Sequence, residues 1–310
     1  MKILITGIHG FVGSNLVTTL KANHTIYGLD IISPIKESVS YTFSWNDLDA
    51  GQVPVVDAII HLAGKAHDTK NQAAAEVYFK VNTGLTEKIY DYFLKSSARK
   101  FIFFSTAKAA ADKVDGVLTE DVVPAPVGPY GESKIKAEEY ILSHPAPEKQ
   151  VYILRPCMIH GPGNKGNLNL LYNVVKKGIP WPLGAFENRR TFTSIDNLSF
   201  VISGLLTKDV PSGIYNMGDD EALSTNELIE VICDSLGKKA HIWKLSKGLM
   251  NGVAKVGGWL HLPLNPERLR KLTENYISSN AKIKAALGID KMPVRAVEGL
   301  KKTLSSFAEK

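Results

Sequence analysis

Residues 2–13 read Lys2-Ile3-Leu4-Ile5-Thr6-Gly7-Ile8-His9-Gly10-Phe11-Val12-Gly13, an apolar run of strand length that passes through three glycines into a segment with helical spacing. At such a turn Gly7 permits the sharp bend, Gly10 lets the backbone approach a pyrophosphate, and Gly13 lets helix and strand pack closely. The helix N-terminus would then face the phosphates. The spacing is Gly-x-x-Gly-x-x-Gly instead of the commonest Gly-x-Gly-x-x-Gly, so alone it is also compatible with a plain glycine-rich turn.

The first 155 residues continue this alternation of strand and helix. Apolar runs of strand length occur at Lys2–Thr6, Thr25–Leu29, Ala58–Leu62, Lys100–Phe104 and Val151–Leu154. Helical spacing occurs at Phe11–Leu20, Asn71–Leu94 and Tyr130–Leu142. Near-continuous apolar strands separated by helices are typical of a parallel sheet covered on both faces. We therefore predict an α/β fold with a doubly wound parallel sheet.

After Gly161 the elements are shorter and are separated by Gly and Pro. Helical spacing returns at Asn197–Leu206, at Thr225–Leu236 after a cap at Ser224, and at Val294–Phe307. We predict a nucleotide-binding domain of residues 1–160, which also receives a strand and a helix from about residues 190–208. Residues 161–310 then form mainly a smaller substrate-binding lobe, with the ligand between the two.

Composition limits the class of protein. The 310 residues include 37 Lys plus Arg and 31 Asp plus Glu, a net charge of +6 without a long block of one sign, which argues against a nucleic-acid partner. Two cysteines far apart and eight histidines without ligand spacing predict no disulfide framework and no metal site. The N-terminal apolar run is too short for a signal peptide, and no membrane-spanning run occurs. We expect a cytoplasmic protein.

An acidic residue follows the second predicted strand. Asp30 lies 17 residues beyond Gly13, where a carboxylate can accept hydrogen bonds from both hydroxyls of an adenine ribose. The same charge repels a 2′-phosphate, so NAD is favoured. Lys36 lies near enough in sequence to keep NADP open.

Tyr130 and Lys134 stand four residues apart in a predicted helix and therefore share one face. An ammonium beside a phenol stabilises the phenolate. Lowering a phenol pKa from about 10 to about 7 requires about 4 kcal/mol, a shift found at active sites. The pattern predicts a lowered pKa for Tyr130, although the pair alone is also typical of an exposed helix surface.

Taken together, these motifs resemble the extended short-chain dehydrogenases/reductases of the NAD-dependent epimerase/dehydratase family. The resemblance rests on the glycine turn, Asp30, His61-Leu62-Ala63-Gly64, Asn82, Ser105-Thr106, Tyr130-x-x-x-Lys134, Leu154-Arg155-Pro156, Gly161-Pro162-Gly163, the stretch from Arg189 to Asp196, Tyr215-Asn216-Met217-Gly218, Asn280-x-Lys282 and Leu287-Gly288. It covers essentially the whole chain and implies a Rossmann fold.

The resemblance implies roles for individual residues. Tyr130 would act as general base or acid at a sugar hydroxyl, and Lys134 would hold the cofactor ribose. Thr106 would hydrogen-bond the same substrate oxygen, with Ser105 in its place if the register is shifted by one. The implied cofactor-binding residues are Gly7, Gly10, Phe11, Val12, Gly13, Asp30, Asp47, Leu48, Leu62, Ala63, Gly64, Asn82, Tyr130, Lys134 and Pro156.

The family also implies a nucleotide-sugar substrate, here expected to be UDP-linked. Asn167 matches the Asn that binds the diphosphate. Arg189 and Arg190 compete for the phosphate-binding Arg, and Arg189 is favoured because it lies seven residues before Asp196. The helices around Asn71–Leu94 and Tyr130–Leu142 occupy the positions through which family members pair, which implies a homodimer.

Departures from the family pattern narrow the reaction. Ala107-Lys108 replace the Asp-Glu pair of sugar-nucleotide dehydratases, so a 4,6-dehydratase is disfavoured. Ala109-Ala110-Ala111 and Met158 also differ from epimerases, while Thr106-x-Lys108 resembles 4-ketoreductases. A 4-epimerase and a 4-ketoreductase both remain open, and a catalytically silent NAD(P)-binding sensor or scaffold is the alternative from another class. The apolar segment Leu249–Leu262 predicts a packed helix, with a lid, a partner surface or a membrane-adjacent patch also open.

Overall fold

The computed structural model describes residues 1–32, 34–65, 74–164, 166–260 and 264–308. Within them the strands are β1 (Lys2–Thr6), β2 (Thr25–Leu29), β3 (Tyr41–Phe43), β4 (Ala58–His61), β5 (Lys100–Phe104), β6 (Val117–Leu118), β7 (Gln150–Pro156), β8 (Met158–His160), β9 (Phe192–Ser194), β10 (Gly213–Met217) and β11 (Ile277–Ser278).

The α-helices in the same residues are α1 (Phe11–Leu20), α2 (Trp45–Asp49), α3 (Ala75–Tyr78), α4 (Leu85–Lys95), α5 (Ala107–Ala110), α6 (Pro129–Ser143), α7 (Asn167–Lys176), α8 (Ile195–Thr207), α9 (Thr225–Ser235), α10 (Lys247–Trp259), α11 (Pro266–Thr273), α12 (Ala281–Leu287) and α13 (Ala296–Ala308). A π-helical segment, Phe79–Gly84, joins α3 to α4. Of the predicted helix Asn71–Leu94, residues 71–73 lie outside the described part of the chain.

Seven strands form one parallel sheet in the order β10-β7-β5-β4-β1-β2-β3. The chain builds one half of the sheet from β1 to β3 and then crosses back to add β4 on the other side of β1. The strand order therefore reverses between β1 and β4, which is where ligands bind in doubly wound sheets. The predicted α/β Rossmann-like fold is confirmed.

Alternate side chains of the strands enter two different cores, because successive residues of a strand point to opposite faces. Ile3 and Ile5 pack with α1 and α8. Leu4 packs on the other face with Phe101 of β5 and with α4 and α6. All of these strand side chains are fully buried, which explains their near-continuous apolar sequence. The strand β3 was missed because only three residues pair at this sheet edge.

The carboxyl-terminal half has its own apolar core, formed by α7, α9, α10, α11 and α13. One expectation differs here. The strand near residue 190, β9, pairs with β8 outside the central sheet, and β10 completes the sheet instead. The five residues of β10 match the end of β7, whereas the three-residue β9 passes directly into α8. That helix does pack on the sheet beside α1.

The division near residue 160 and the homodimer through α4 and α6 stay predictions. In the described part of the chain, no helix is both long enough and apolar enough to cross a membrane.

We predict opposite effects for two helical glycines. In Gly13→Ala the new Cβ would stand 2.6 Å from the Gly7 carbonyl oxygen and 2.8 Å from Ile8 Cα, both backbone atoms. Overpacking of this kind costs about 1–3 kcal/mol in free energy of unfolding. In Gly252→Ala the Cβ meets nothing within 4 Å, so the variant should gain up to about 1 kcal/mol. Urea denaturation measures both; equal effects would contradict the close packing at Gly13.

Candidate functional site

The glycine turn forms a backbone cradle at the strand-order reversal. Gly7 has φ +69° and donates its N–H to the Leu29 carbonyl at 2.8 Å, and Gly10 donates to the Gly7 carbonyl at 3.0 Å. A Cβ on Gly7 would lie 2.9 Å from the backbone nitrogen of Ala63. The turn after β1 is thus pressed against the turn after β4. The N-terminus of α1, beginning at Phe11, opens beside it and suits a pyrophosphate.

Asp30 lies at the end of β2 beside this cradle. Its carboxylate accepts from the His9 N–H at 3.0 Å and from the Ile31 N–H at 2.8 Å. Lys36 donates to the Ser14 hydroxyl at 2.9 Å, near the start of α1. A carboxylate and an ammonium therefore both stand beside the cradle, and the role of Asp30 at an adenine ribose stays a prediction.

Asp47 and Leu48 have local structural tasks. The Asp47 carboxylate accepts from the Ser44 N–H at 2.7 Å and from its hydroxyl at 2.8 Å, which completes a capping box at the start of α2. These bonds lower the pKa of Asp47. Leu48 is buried in the core beneath the sheet. The sequence Ser-x-x-Asp was a signal for this cap.

A buried chain of hydrogen bonds ties β1, β4 and the π-helical segment together. The Ala63 N–H donates to the Thr6 hydroxyl, which lies 2.7 Å from His61 Nδ1. His61 Nε2 lies 2.9 Å from the Thr86 hydroxyl, which donates to the Asn82 carbonyl at 2.6 Å. Because Thr86 donates onward, His61 carries its proton on Nε2 and accepts from Thr6 at Nδ1. Burial and the nearby Lys134 hold the pKa of His61 well below its usual value, which keeps it neutral.

Asn82 is fully buried and positions the loop after β4. Its amide oxygen accepts from the Lys65 N–H at 2.7 Å, and its amide nitrogen donates to the Lys65 carbonyl and to the Ser133 hydroxyl. Ser133 precedes Lys134 in α6. Asn82 therefore joins the Leu62-Ala63-Gly64 turn to the helix that carries the predicted catalytic pair. A π-helical segment at such a place is common at functional sites.

Tyr130 and Thr106 meet at the carboxyl edge of the sheet. Thr106 follows β5 and Tyr130 lies in the first turn of α6, so that the Thr106 hydroxyl is close enough to the phenol to act on its pKa. The expectation of a lowered pKa for Tyr130 is wrong for this structure. Burial raises the pKa, the Thr106 bond opposes the rise, and Tyr78 adds to it. The phenol is therefore protonated at neutral pH.

Lys134 lies one turn further along α6 and is buried. It donates to the Phe104 carbonyl at 2.7 Å, and its ammonium lies 4.9 Å from the centre of the Phe103 ring. Burial lowers its pKa to about 8, against the opposing charge of Glu138. A Cβ on Gly64 would come within 3.2 Å of its Nζ, so Gly64 leaves room for the ammonium.

Ser105 points to a different partner from Thr106. Its hydroxyl donates to Glu138, which is fully buried in α6. Arg155 of β7 donates to the same carboxylate through Nε at 3.1 Å and Nη2 at 2.6 Å. This engagement argues against the alternative register in which Ser105 replaces Thr106. The sequence reasoning missed Glu138, although it stands four residues after Lys134 and so on the same helix face.

The predicted substrate residues lie at one end of the carboxyl-terminal lobe. Helices α7 and α9 pack together, and Lys238, just beyond α9, donates to the carbonyl of Lys176, the last residue of α7. The carboxyl ends of the two helices therefore lie close together. Asn167 is the exposed first residue of α7, and Arg189 pairs with Glu227 in the first turn of α9 at 2.9 Å.

Arg190 is placed differently from Arg189. It donates to the Lys271 carbonyl and lies mostly buried between the chain segments at Leu223 and Tyr276, with which it forms β-bridges. The Lys108 ammonium lies 4.7 Å from the centre of the Tyr276 ring. The structure thus separates the two arginines: Arg189 is exposed and paired with Glu227, whereas Arg190 is packed behind the segment that follows Thr106.

Pro156, the remaining predicted site residue, and the segment that follows it lie at the end of β7. Pro156 ends β7 beside β10. A Cβ on Gly161 would lie 3.5 Å from the Phe11 ring, so the start of the second lobe touches the start of α1. Burial raises the pKa of Cys157 to about 12, which makes it a poor nucleophile. No cluster of three or more His, Cys, Asp or Glu side chains within the described ranges could hold a metal ion.

Comparison with known proteins identifies the family of this chain. The family model described as NAD dependent epimerase/dehydratase family matches residues 3–218. The chain belongs to this family. It is 30% identical over 262 residues to the UDP-glucose 4-epimerase of Vibrio cholerae, covering 79% of this chain and 78% of that protein. It is 28% identical over 247 residues to the N-acetyl-alpha-D-glucosaminyl-diphospho-ditrans,octacis-undecaprenol 4-epimerase of Escherichia coli O157:H7, covering 77% and 73%.

Among solved structures, the UDP-glucuronic acid 4-epimerase of Bacillus cereus in complex with NAD superposes with a TM-score of 0.77 at 21% identity, covering 100% of this chain and 99% of that one. NAD is the cofactor of this family. The cradle at Gly7 and Gly13, closed to any Cβ, and the carboxylate of Asp30 fit that cofactor.

We predict that Arg155→Met destabilises the protein strongly. The substitution leaves the carboxylate of Glu138 buried without its cation, which costs about 3–5 kcal/mol in free energy of unfolding. Lys302→Met is the matched control, because Lys302 forms an exposed pair with Asp196 that is worth at most about 1 kcal/mol. Chemical denaturation measures the free energy of unfolding of both variants. If Arg155→Met lost no more of this free energy than Lys302→Met, the buried pair would not hold α6 in place.

Lys134 should reveal its lowered pKa through stability. Between about pH 8 and the unfolded value of about 10.4, the unfolded chain binds more protons than the folded protein, so stability rises with pH. Relative to Lys134→Met, the native protein should gain about 1–2 kcal/mol between pH 8 and pH 9.5. Lys136→Met, an exposed lysine of the same helix, should show no such change. A difference in stability between the native protein and Lys134→Met that stays constant from pH 8 to pH 9.5 would contradict the burial of a titrating ammonium.

Proposed function

We propose that this protein moves a hydride at C4 of a hexose carried on a nucleoside diphosphate, expected to be UDP, as a 4-epimerase or a 4-ketoreductase. The observation that carries the proposal is the position of Tyr130 beside the Thr106 hydroxyl at the carboxyl edge of the sheet, with Lys134 buried one helical turn further along α6. Two hydroxyls that meet there can share one substrate oxygen. The names of the relatives support the substrate class.

Each residue has a separate task in this proposal. The glycine turn and Asp30 hold the cofactor, and Lys134 holds its ribose and supplies a positive charge near Tyr130. When bound, the nicotinamide ring accepts a hydride from C4 or returns one to it. Tyr130 in its protonated form donates its proton to the C4 oxygen of a keto-sugar, and Thr106 orients that oxygen.

The two reactions share this proton transfer. A ketoreductase converts the C4 carbonyl to a hydroxyl, with the hydride added at carbon and the Tyr130 proton added at oxygen. An epimerase first removes the hydride from C4 and the proton from the C4 hydroxyl, and after the keto-sugar has turned over it returns the hydride to the other face of C4 and the proton to the oxygen. Lys108 follows Thr106 where a dehydratase would carry a carboxylate, and its ammonium is held by Asp112 at 2.9 Å. This supports the proposal that the reaction is not a 4,6-elimination.

Substrate assays separate the two reactions. The protein is incubated with UDP-glucose, UDP-N-acetylglucosamine and the UDP-linked 4-keto-6-deoxy derivative, with and without NADH or NADPH. Stoichiometric oxidation of the added cofactor identifies a ketoreductase. Inversion at C4 without net oxidation identifies an epimerase. If neither change occurs with any of these substrates, the proposal is contradicted.

Tyr130→Phe should lower kcat by about 10²–10⁴-fold while substrate still binds, which is the usual effect of losing a general acid or base. Tyr140→Phe is the matched control in the same helix, since it loses only a hydroxyl bonded to Asp91. Steady-state kinetics on a verified substrate measures both. Unchanged turnover in Tyr130→Phe would exclude Tyr130 as the general acid or base of the proposed mechanism.

Arg189→Ala should raise KM about 10- to 150-fold with a smaller effect on kcat, because a charge-assisted phosphate contact of about 1.5–3 kcal/mol is made in the ground state and the transition state alike. Lysine should replace Arg189 poorly. Arg295→Ala, which breaks another exposed pair with a glutamate, is the control. If Arg190→Ala raises KM and Arg189→Ala does not, the phosphates bind on the other side of this strand-like segment.

A further inference from the structure

Residues 235–266 have an unusual distribution of charge. This stretch of 32 residues contains five lysines and neither Asp nor Glu, in a chain where acidic and basic residues are otherwise mixed. The lysines are Lys238, Lys239, Lys244, Lys247 and Lys255. Each of these five is exposed. The five lysines therefore concentrate positive charge on the surface of the carboxyl-terminal lobe.

Helix α10, at the centre of this stretch, has two apolar faces. One face, with Met250, Ala254 and Gly257, is buried against the lobe. The other is exposed and follows the helical spacing i, i+4, i+7, i+10, i+11. Its members and their exposed fractions are Leu249 (55%), Val253 (45%), Val256 (54%), Trp259 (80%) and Leu260 (52%). Packing within the lobe explains only the first face.

The polar residues of α10 stand beside the exposed apolar face. At 100° per residue, Lys247 and Lys255 fall within one quarter of the helix circumference, with Asn251 between them, next to the side chain of Trp259. An apolar stripe flanked by lysines, with an exposed tryptophan at its end, is typical of helices that lie in the interface of a membrane.

We propose that α10 docks the protein onto the surface of a lipid bilayer with anionic headgroups. The exposed stripe would enter the boundary between headgroups and acyl chains, while the lysines contact the phosphates. The helix lies in the plane of the surface, since its 13 residues are fewer than the roughly 20 needed to cross the hydrocarbon core.

A second copy of this chain fits the surface less well. A two-fold contact through α10 would place the same surface of both copies in one interface, so the lysines of both copies would add their positive charge to it without an acidic residue of α10 to balance them. A standard protein interface uses roughly 20 residues on each side, and the exposed stripe offers five. An anionic bilayer satisfies the apolar stripe and the positive charge at once.

Vesicle flotation tests the proposal with the full chain. We expect binding to vesicles of phosphatidylglycerol and phosphatidylethanolamine, about tenfold or more weaker binding to pure phosphatidylcholine, and loss of binding in high salt. Lys247→Glu with Lys255→Glu should weaken binding at least about 25-fold, at about fivefold for each lysine. Trp259→Ser should weaken binding to the anionic vesicles at low salt without changing its salt dependence, because it removes apolar contact and no charge.

Matched control substitutions lie in the amino-terminal half of the chain, far from α10 in sequence. Val55→Ser changes an apolar residue that is 71% exposed, and Lys21→Glu reverses an exposed lysine; neither should alter vesicle binding. Circular dichroism and turnover of a soluble substrate should be unchanged in every variant. The proposal is overturned if the wild-type protein binds none of these vesicles, or if the control substitutions weaken vesicle binding as much as the α10 substitutions do. It is also overturned if Trp259→Ser dissociates a lipid-free oligomer without affecting vesicle binding.

Discussion

The buried carboxylate of Glu138 is the constraint on which the catalytic geometry depends. A charge without exposure must be paired, and Arg155 and the Ser105 hydroxyl pair it. These bonds fix α6 against β5 and β7. Because α6 advances one turn in about four residues, anchoring Glu138 also fixes Lys134 and Tyr130 on the same face. Ser105, held by the carboxylate, leaves its neighbour Thr106 directed to Tyr130.

A second buried network fixes the cofactor side of the cleft. A series of four hydrogen bonds runs from Ala63 through Thr6, His61 and Thr86 to Asn82. Each bond has one donor and one acceptor only if His61 is neutral. Such a network holds two turns of the sheet and one helix in a single arrangement. The cradle is therefore organised by side chains below it, and because the N–H groups of Gly7, His9 and Gly10 are bonded within the protein, the first N–H groups of α1 are the ones left for a ligand.

The sequence predicted the elements whose signals are local. The strands Lys2–Thr6, Thr25–Leu29 and Lys100–Phe104 and the helix Phe11–Leu20 were predicted with the bounds that the structure shows, because buried parallel strands and glycine turns have strong patterns. The direction of the pKa shift at Tyr130 could not be predicted, since it depends on burial by segments distant in sequence. For the same reason the sequence did not reveal that Glu138 binds Ser105 and Arg155.

Substrate choice depends on contacts between distant segments. Residues 107–112, which follow Thr106, are held by the carboxyl-terminal lobe: Tyr276 donates to the Ala111 carbonyl at 2.9 Å, Arg270 lies 3.4 Å from Asp112, and β6 pairs with β11. The surroundings of Thr106 are thus shaped by residues more than 150 positions away. A sequence motif after Thr106 therefore specifies only part of these surroundings. The proposed hydride chemistry depends on Tyr130 and Lys134 of α6, whereas the segment after Thr106 is positioned by the carboxyl-terminal half, so different parts of the chain determine the two.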